Sequence, residues 1–134
     1  MPEAAIRVLF VEDDEALAAV VVRHLKARGC EARPAYSAEE ATAIISGGYR
    51  PTVVLLDINL PEASGWDLLR SGIMKKAGSP PVFVVTATSV PPARLHEFDV
   101  AGFLPKPFAM STLVEIVERN AESASADHAG SAND

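Results

Sequence analysis

Five side chains of this sequence have the types that phosphoryl chemistry needs: Glu12, Asp13, Asp57, Thr86 and Lys106. Each lies at or just beyond the end of an apolar run. Val53-Val-Leu-Leu56 runs into Asp57, Ile6-Arg-Val-Leu-Phe-Val11 into Glu12 and Asp13, and Pro81-Val-Phe-Val-Val85 into Thr86, while Lys106 follows Gly102-Phe-Leu104. Three carboxylates gathered within a few ångströms repel one another, and protons or a cation must relieve that. With oxygen ligands only, and neither His nor Cys among them, the set suits Mg²⁺ (or Mn²⁺) rather than zinc. A fixed ammonium and a hydroxyl beside such an ion form a clamp for the charge on a phosphoryl group. A carboxylate can itself accept that group, giving an aspartyl-phosphate. Asp57, on the central run, is the best placed of the three to do so while the other acids hold the metal.

These residues meet only if the runs are neighbouring strands of one sheet. The unbroken apolar character of Val53–Leu56 suits a strand covered on both faces, as in a parallel sheet flanked by helices. Such sheets bind ligands at the carboxyl ends of their strands. Between the runs the sequence predicts helices. The first spans about Glu15 to Arg28, with Leu17, Ala18, Val21, Val22 and Leu25 at three-to-four spacing and Gly29 as its stop. Asp14 and Glu15 are assigned to its N-terminal cap. Cys30–Ala35 is a weak strand whose Pro34 belongs at an edge or an end. Ser37-Ala-Glu-Glu40 predicts a capping box opening a helix that stops at Gly47-Gly48. Gly65 permits a tight turn before a third helix from Trp66 to Ser71 or Met74, followed by a polar connector over Lys75–Pro80. The stretch Ser89–Phe98, with Pro91 and Pro92, has room for only a short helix. A last helix runs from about Met110 to Asn120 or Ala121, its start capped by Ser111 or left at Ala109. Five alternations of strand and helix predict an α/β fold with a parallel sheet and right-handed crossovers.

Composition narrows the classes. One domain is expected of 134 residues, and 49% apolar content makes the chain globular. The net charge is −6 with no Lys/Arg run, which argues against direct nucleic-acid binding. The single Cys30 excludes an intramolecular disulfide and reads as a small core residue. No apolar stretch approaches the ~18 residues of a membrane span, and the start lacks the character of a signal peptide, so a cytoplasmic protein without membrane insertion is expected. Residues 122–134 read as a disordered acidic Ala/Ser tail behind a domain spanning 1–121.

The motifs Val11-Glu-Asp-Asp-Glu15, Leu55-Leu-Asp-Ile-Asn-Leu-Pro61 with Gly65, Val84-Val-Thr-Ala87 and Gly102-Phe-Leu-Pro-Lys-Pro-Phe108, in this order over residues 6 to about 121, resemble the receiver domain of two-component response regulators, in its stand-alone chemotaxis-regulator-like form. The resemblance implies a doubly wound, flavodoxin-like five-stranded parallel sheet of order 2-1-3-4-5. It implies that Asp57 accepts a phosphoryl group from a sensor histidine kinase or a histidine phosphotransfer protein. Glu12, Asp13, Asp57 and the backbone carbonyl of Asn59 would hold Mg²⁺. Lys106, before a cis Lys106–Pro107 bond, would pair with the phosphoryl oxygens. Thr86 would turn its hydroxyl to the phosphoryl group and let Phe103 rotate inward. Ala87 would leave room for the group, and Asn59 and Thr88 would tune its lifetime. Kinase choice would rest on residues such as Ala16, Ala19, Val20 and Arg23. The protein would be a monomer or weak dimer that controls an output protein or relays the phosphate, and not a turnover enzyme, since its substrate is its own Asp57.

Three features depart from the family pattern, one of them Ala109, which stands where a capping residue often begins the last helix. Glu12 stands where Asp is commoner. The stretch from Thr86 to Lys106 is a little shorter than usual and carries Pro91-Pro92, so the fourth helix is expected to be short or irregular and partner recognition there to differ. Ordinary readings also exist: Asp57 as a solvated strand-end acid, Glu12 and Asp13 as helix-cap acids, Thr86 as a plain strand residue, Lys106 as a surface lysine and Phe103 as plain core. Trp66 reads as structural, and His24, His96 and His128 as non-ligands. The competing functions are a phosphorylation-independent binding module of the same fold, or the N-terminal receiver of a longer regulator.

Overall fold

A computed structural model describes residues 6–120 of the chain. The strands are β1 (Arg7–Val11), β2 (Glu31–Ala35), β3 (Val53–Leu56), β4 (Val82–Thr86) and β5 (Gly102–Pro105). All neighbours pair in parallel, in the order β2-β1-β3-β4-β5. The helices are α1 (Glu15–Ala27), α2 (Ala38–Ser46), α3 (Gly65–Arg70), α4 (Ile73–Lys76), α5 (Pro92–Glu97) and α6 (residues 110–120). The expected α/β class, sheet order and short helix after β4 are all present. That helix is α5 because the expected third helix is two.

Alternation along the strands explains the apolar runs. Val8, Phe10, Val53, Leu55, Phe83 and Val85 face one layer with α1 and α6, while Leu9, Val11, Val54, Leu56, Val82 and Val84 face the other with α2, α3 and α4. Both faces are dry, so no polar residue interrupts β1, β3 or β4 after Arg7 until the strand ends. The weak β2 is an edge strand, which is where Pro34 is tolerated.

The helix boundaries differ in instructive ways. α1 ends at Ala27, with Arg28 as its cap and Gly29 at φ 86°. Ser37 accepts from the Glu40 amide as expected, but the reciprocal bond, from the Ser37 amide to the Glu40 carboxylate, is not made. The closed capping box is at Ser64 and Asp67 instead. Gly72, at φ 80°, breaks the chain between α3 and α4, and Ile73, Met74 and Ala77 then turn into the core. Lys75 and Lys76, expected in a connector, are therefore helical. Before α6 the Ala109 carbonyl accepts from Thr112 and Leu113, so Ser111 lies inside the helix rather than capping it. Ala121, the expected tail 122–134 and His128 lie outside the described residues. No helix among the described residues is long and apolar enough to cross a membrane.

Candidate functional site

Parallel pairing brings the carboxyl ends of β1, β3, β4 and β5 to one edge, and the five singled-out side chains come with them. Backbone bonds continue past the strand ends: the Asp57 amide donates to Val11 at 2.9 Å, and the Lys106 amide to the Thr86 carbonyl at 3.0 Å. Asp57 therefore sits beside the end of β1, and Lys106 beside Thr86.

Lys106 joins the acids. Its Nζ donates to Asp57 Oδ2 at 2.9 Å and to Glu12 Oε1 at 2.5 Å. Glu12, Asp57 and Thr86 are buried, whereas Asp13 is exposed. Burial alone would pull the Lys106 pKa down, but the hydrogen bonds and charges of Glu12 and Asp57 outweigh it, so the ammonium is held more firmly than in water. Glu12 goes the other way from most paired acids. Burial raises its pKa, the Asp57 charge adds to the rise, and the bonds from Lys106 and the Asp14 amide offset only part of it.

Oxygen atoms of Glu12, Asp13 and Asp57 all lie within 4.8 Å of one another. Three carboxylates against one ammonium leave an excess of negative charge at an oxygen-only site. That donor set fits a hard divalent cation such as Mg²⁺, which takes one or two carboxylates and keeps waters. His24 and His96 are not part of this group.

Asn59 ties the second half of the site together. Its amide N–H donates to Asp57 Oδ1 at 3.0 Å. Its side-chain Nδ2 donates to Thr86 Oγ1 at 3.2 Å and also to Thr88 Oγ1. The Thr88 amide bonds Thr86 Oγ1 as well, at 3.4 Å. The Thr86 hydroxyl is thus held by acceptor bonds to the strand-end loops. Ala87 is exposed at the rim between these threonines. Phe103 is half-buried against the second apolar layer, opposite Val84 on β4. The Lys106–Pro107 bond is cis.

The role of Gly65 differs from the tight turn expected of it. It is the first residue of α3, and a Cβ there would lie 2.7 Å from the Asp57 carbonyl oxygen and 2.8 Å from Ile58 Cδ1. The residue is small because α3 starts directly against the phosphoacceptor-candidate backbone. Sequence spacing could signal a glycine there but not which backbone it approaches. The ion pairs of Lys106 with Glu12 and Asp57 were likewise not legible as contacts, only as residue types sharing an edge.

The family model for the response regulator receiver domain matches residues 8–118. The response regulator MprA of Mycolicibacterium vanbaalenii is 31% identical over 112 residues, 81% of this chain but 47% of that protein, so the chain spans about half the length of the curated relatives it matches. The non-phosphorylated HemR receiver domain of Leptospira biflexa is 33% identical with a TM-score of 0.72, covering 87% of this chain and 94% of that one. A CheY-like receiver domain protein of Methanospirillum hungatei superposes with a TM-score of 0.83 at 23% identity, covering 91% and 98% of the two chains.

Proposed function

Because the chain belongs to the response regulator receiver domain family of two-component signalling, we propose that it is a phosphorylation switch whose acceptor is Asp57. The observation that carries this reading is the Lys106 ammonium bridging Asp57 and Glu12 beside the buried Thr86 hydroxyl. In the transfer step an Asp57 carboxylate oxygen attacks phosphorus. The P–N bond of a phosphohistidine on a sensor histidine kinase or histidine phosphotransfer protein breaks, and its imidazole leaves with the electron pair as a neutral ring, the other ring nitrogen keeping the proton it already carries. Mg²⁺, when bound by Glu12, Asp13, Asp57 and the Asn59 carbonyl, supplies charge neutralisation for the phosphoryl oxygens. Lys106 moves from its carboxylate partners to a phosphoryl oxygen. Thr86 exchanges its bonds from Asn59 and Thr88 for one it donates to the phosphoryl group, and Phe103 follows into the space vacated. Asn59 and Thr88 then flank the path of the water that hydrolyses the adduct. The substrate is the chain's own Asp57, so no turnover of a separate substrate is assigned. Output passes through contacts with a protein partner.

The test is intact mass after incubation with a small phosphodonor in three arms: with Mg²⁺, with chelator, and with Asp57→Asn in Mg²⁺. A single phosphoryl adduct confined to the first arm is expected. A folded protein that gains no adduct in any arm overturns the reading and leaves a binding module of receiver fold.

A further inference from the structure

Trp66 lies in the first turn of α3, and Phe98 is the residue that closes α5. Their rings stack with centroids 5.0 Å apart and planes 26° apart. Each ring also carries the guanidinium of the other element. Arg94 Cζ, on α5, is 5.8 Å from the Trp66 centroid, and Arg70 Cζ, on α3, is 5.1 Å from the Phe98 centroid. The arginines are held near their own helices by exposed pairs, Arg70 to Asp67 at 3.4 Å and Arg94 to Glu97 at 3.6 Å. Such pairs contribute little energy but restrict where the guanidinium lies.

The ladder matters because α5 has little else. None of its residues is buried. Its other attachments are the half-buried Leu95 within it and Val90 and Val100 on either side. At its other end the ladder is rooted in the Asp57 strand. Gly65, immediately before Trp66, donates its amide to Ile58 at 3.0 Å, with no room for a Cβ against the Asp57 and Ile58 backbone.

We propose that this reciprocal Arg–Trp–Phe–Arg ladder is an interlock that makes α5 move with α3, carrying changes at the Asp57 strand end to α5. It rests on the phosphorylation reading above and is separate from the Thr86–Phe103 route along β4 and β5. The state of Asp57 biases the loop to Gly65. α3 follows because its first residue packs on that loop, and α5 follows α3 through the stacked rings.

The experiment measures hydrogen exchange over residues 65–70 and 92–98, together with the fluorescence of Trp66, the chain's only tryptophan. Each is recorded before and after loading with a small phosphodonor and Mg²⁺, with adduct followed by intact mass in the same samples. Phe98→Leu keeps an apolar side chain without the stack, and Trp66→Phe keeps an aromatic pair. In the wild-type protein both segments and the fluorescence are expected to change on loading. Phe98→Leu should raise unloaded exchange over 92–98 by about 2- to 10-fold, the worth of an aromatic pair. It should form adduct normally and respond over 65–70 but lose the response over 92–98, which Trp66→Phe should retain. A loaded wild type silent over 92–98, or a Phe98→Leu protein that still responds there, overturns the interlock alone. Absence of adduct overturns the phosphorylation reading and the interlock with it.

Discussion

Lys106 is the one cation that touches both buried carboxylates of the site among the described residues. An ammonium already bonded to the proposed acceptor Asp57 lies only a side-chain shift from the charge that would develop on a phosphoryl group there. Lys106→Ala should therefore slow adduct formation from a small phosphodonor by about 10²-fold, the usual loss for one preorganised charge donor. Circular dichroism should show the fold retained, and intact mass against time gives the rate. An unchanged rate would return Lys106 to the status of a structural counter-ion. At this scale the sequence was informative about residue types and silent about contacts. Glu12, Asp13, Asp57, Thr86 and Lys106 could be picked out because each interrupts or follows an apolar run. That Asn59 would bond both Thr86 and Thr88 depends on how two loops face each other, which no spacing within one strand encodes.

The secondary-structure elements divide by how their ends are made. β1, β3 and β4 were legible because burial on both faces leaves an uninterrupted signal. The split of the third helix was not. Ser71-Gly72 looks like an ordinary polar stop, and the apolar Ile73, Met74 and Ala77 are too few to announce a second helix. Their burial decides it, together with the left-handed backbone of Gly72. Nothing lies within 4 Å of a Cβ placed at Gly72, so a side chain there meets only backbone strain at φ 80°. Gly72→Ala should destabilise the protein by about 1 kcal/mol, the left-handed penalty less the gain from a stiffer unfolded chain. A urea midpoint unchanged or raised would show that the break is set by packing of Ile73 and Met74 alone. The two Ser-x-x-acid patterns make the same point. Ser64 and Asp67 close a capping box while Ser37 and Glu40 form half of one, though the residues read alike.

Across the whole molecule, the stability of the sheet is linked to pH through Tyr49. Its hydroxyl donates to the Val8 carbonyl on β1 at 3.3 Å. Burial, then the charge of Glu31, pushes its pKa well above the ordinary value of 10.0. The unfolded chain loses this proton as pH passes 10, while the folded protein keeps it, so the folded state binds more protons and stability falls as pH rises from there. Tyr49→Phe should lower the urea midpoint near neutrality, where a hydrogen bond of about 1 kcal/mol is lost, and flatten its decline above pH ~10. Midpoints measured from neutral to alkaline pH check both signs. An equally steep alkaline decline in the variant would assign it to other groups.

Pro34 sits on the outermost strand, and the hydrogen bonds around it show which way its backbone faces. Glu31 donates to Ile6 and Ala35 accepts from Glu12, so the odd-numbered residues of β2 bond to β1. The amide positions of Ala32 and Pro34 face the open side, and the proline has no N–H to offer. Another chain laying a strand along this rim would find a single donor, at Ala32, and a ring where the next should be. This border therefore resists being zipped to a neighbour's sheet, a safeguard against accidental edge-to-edge association.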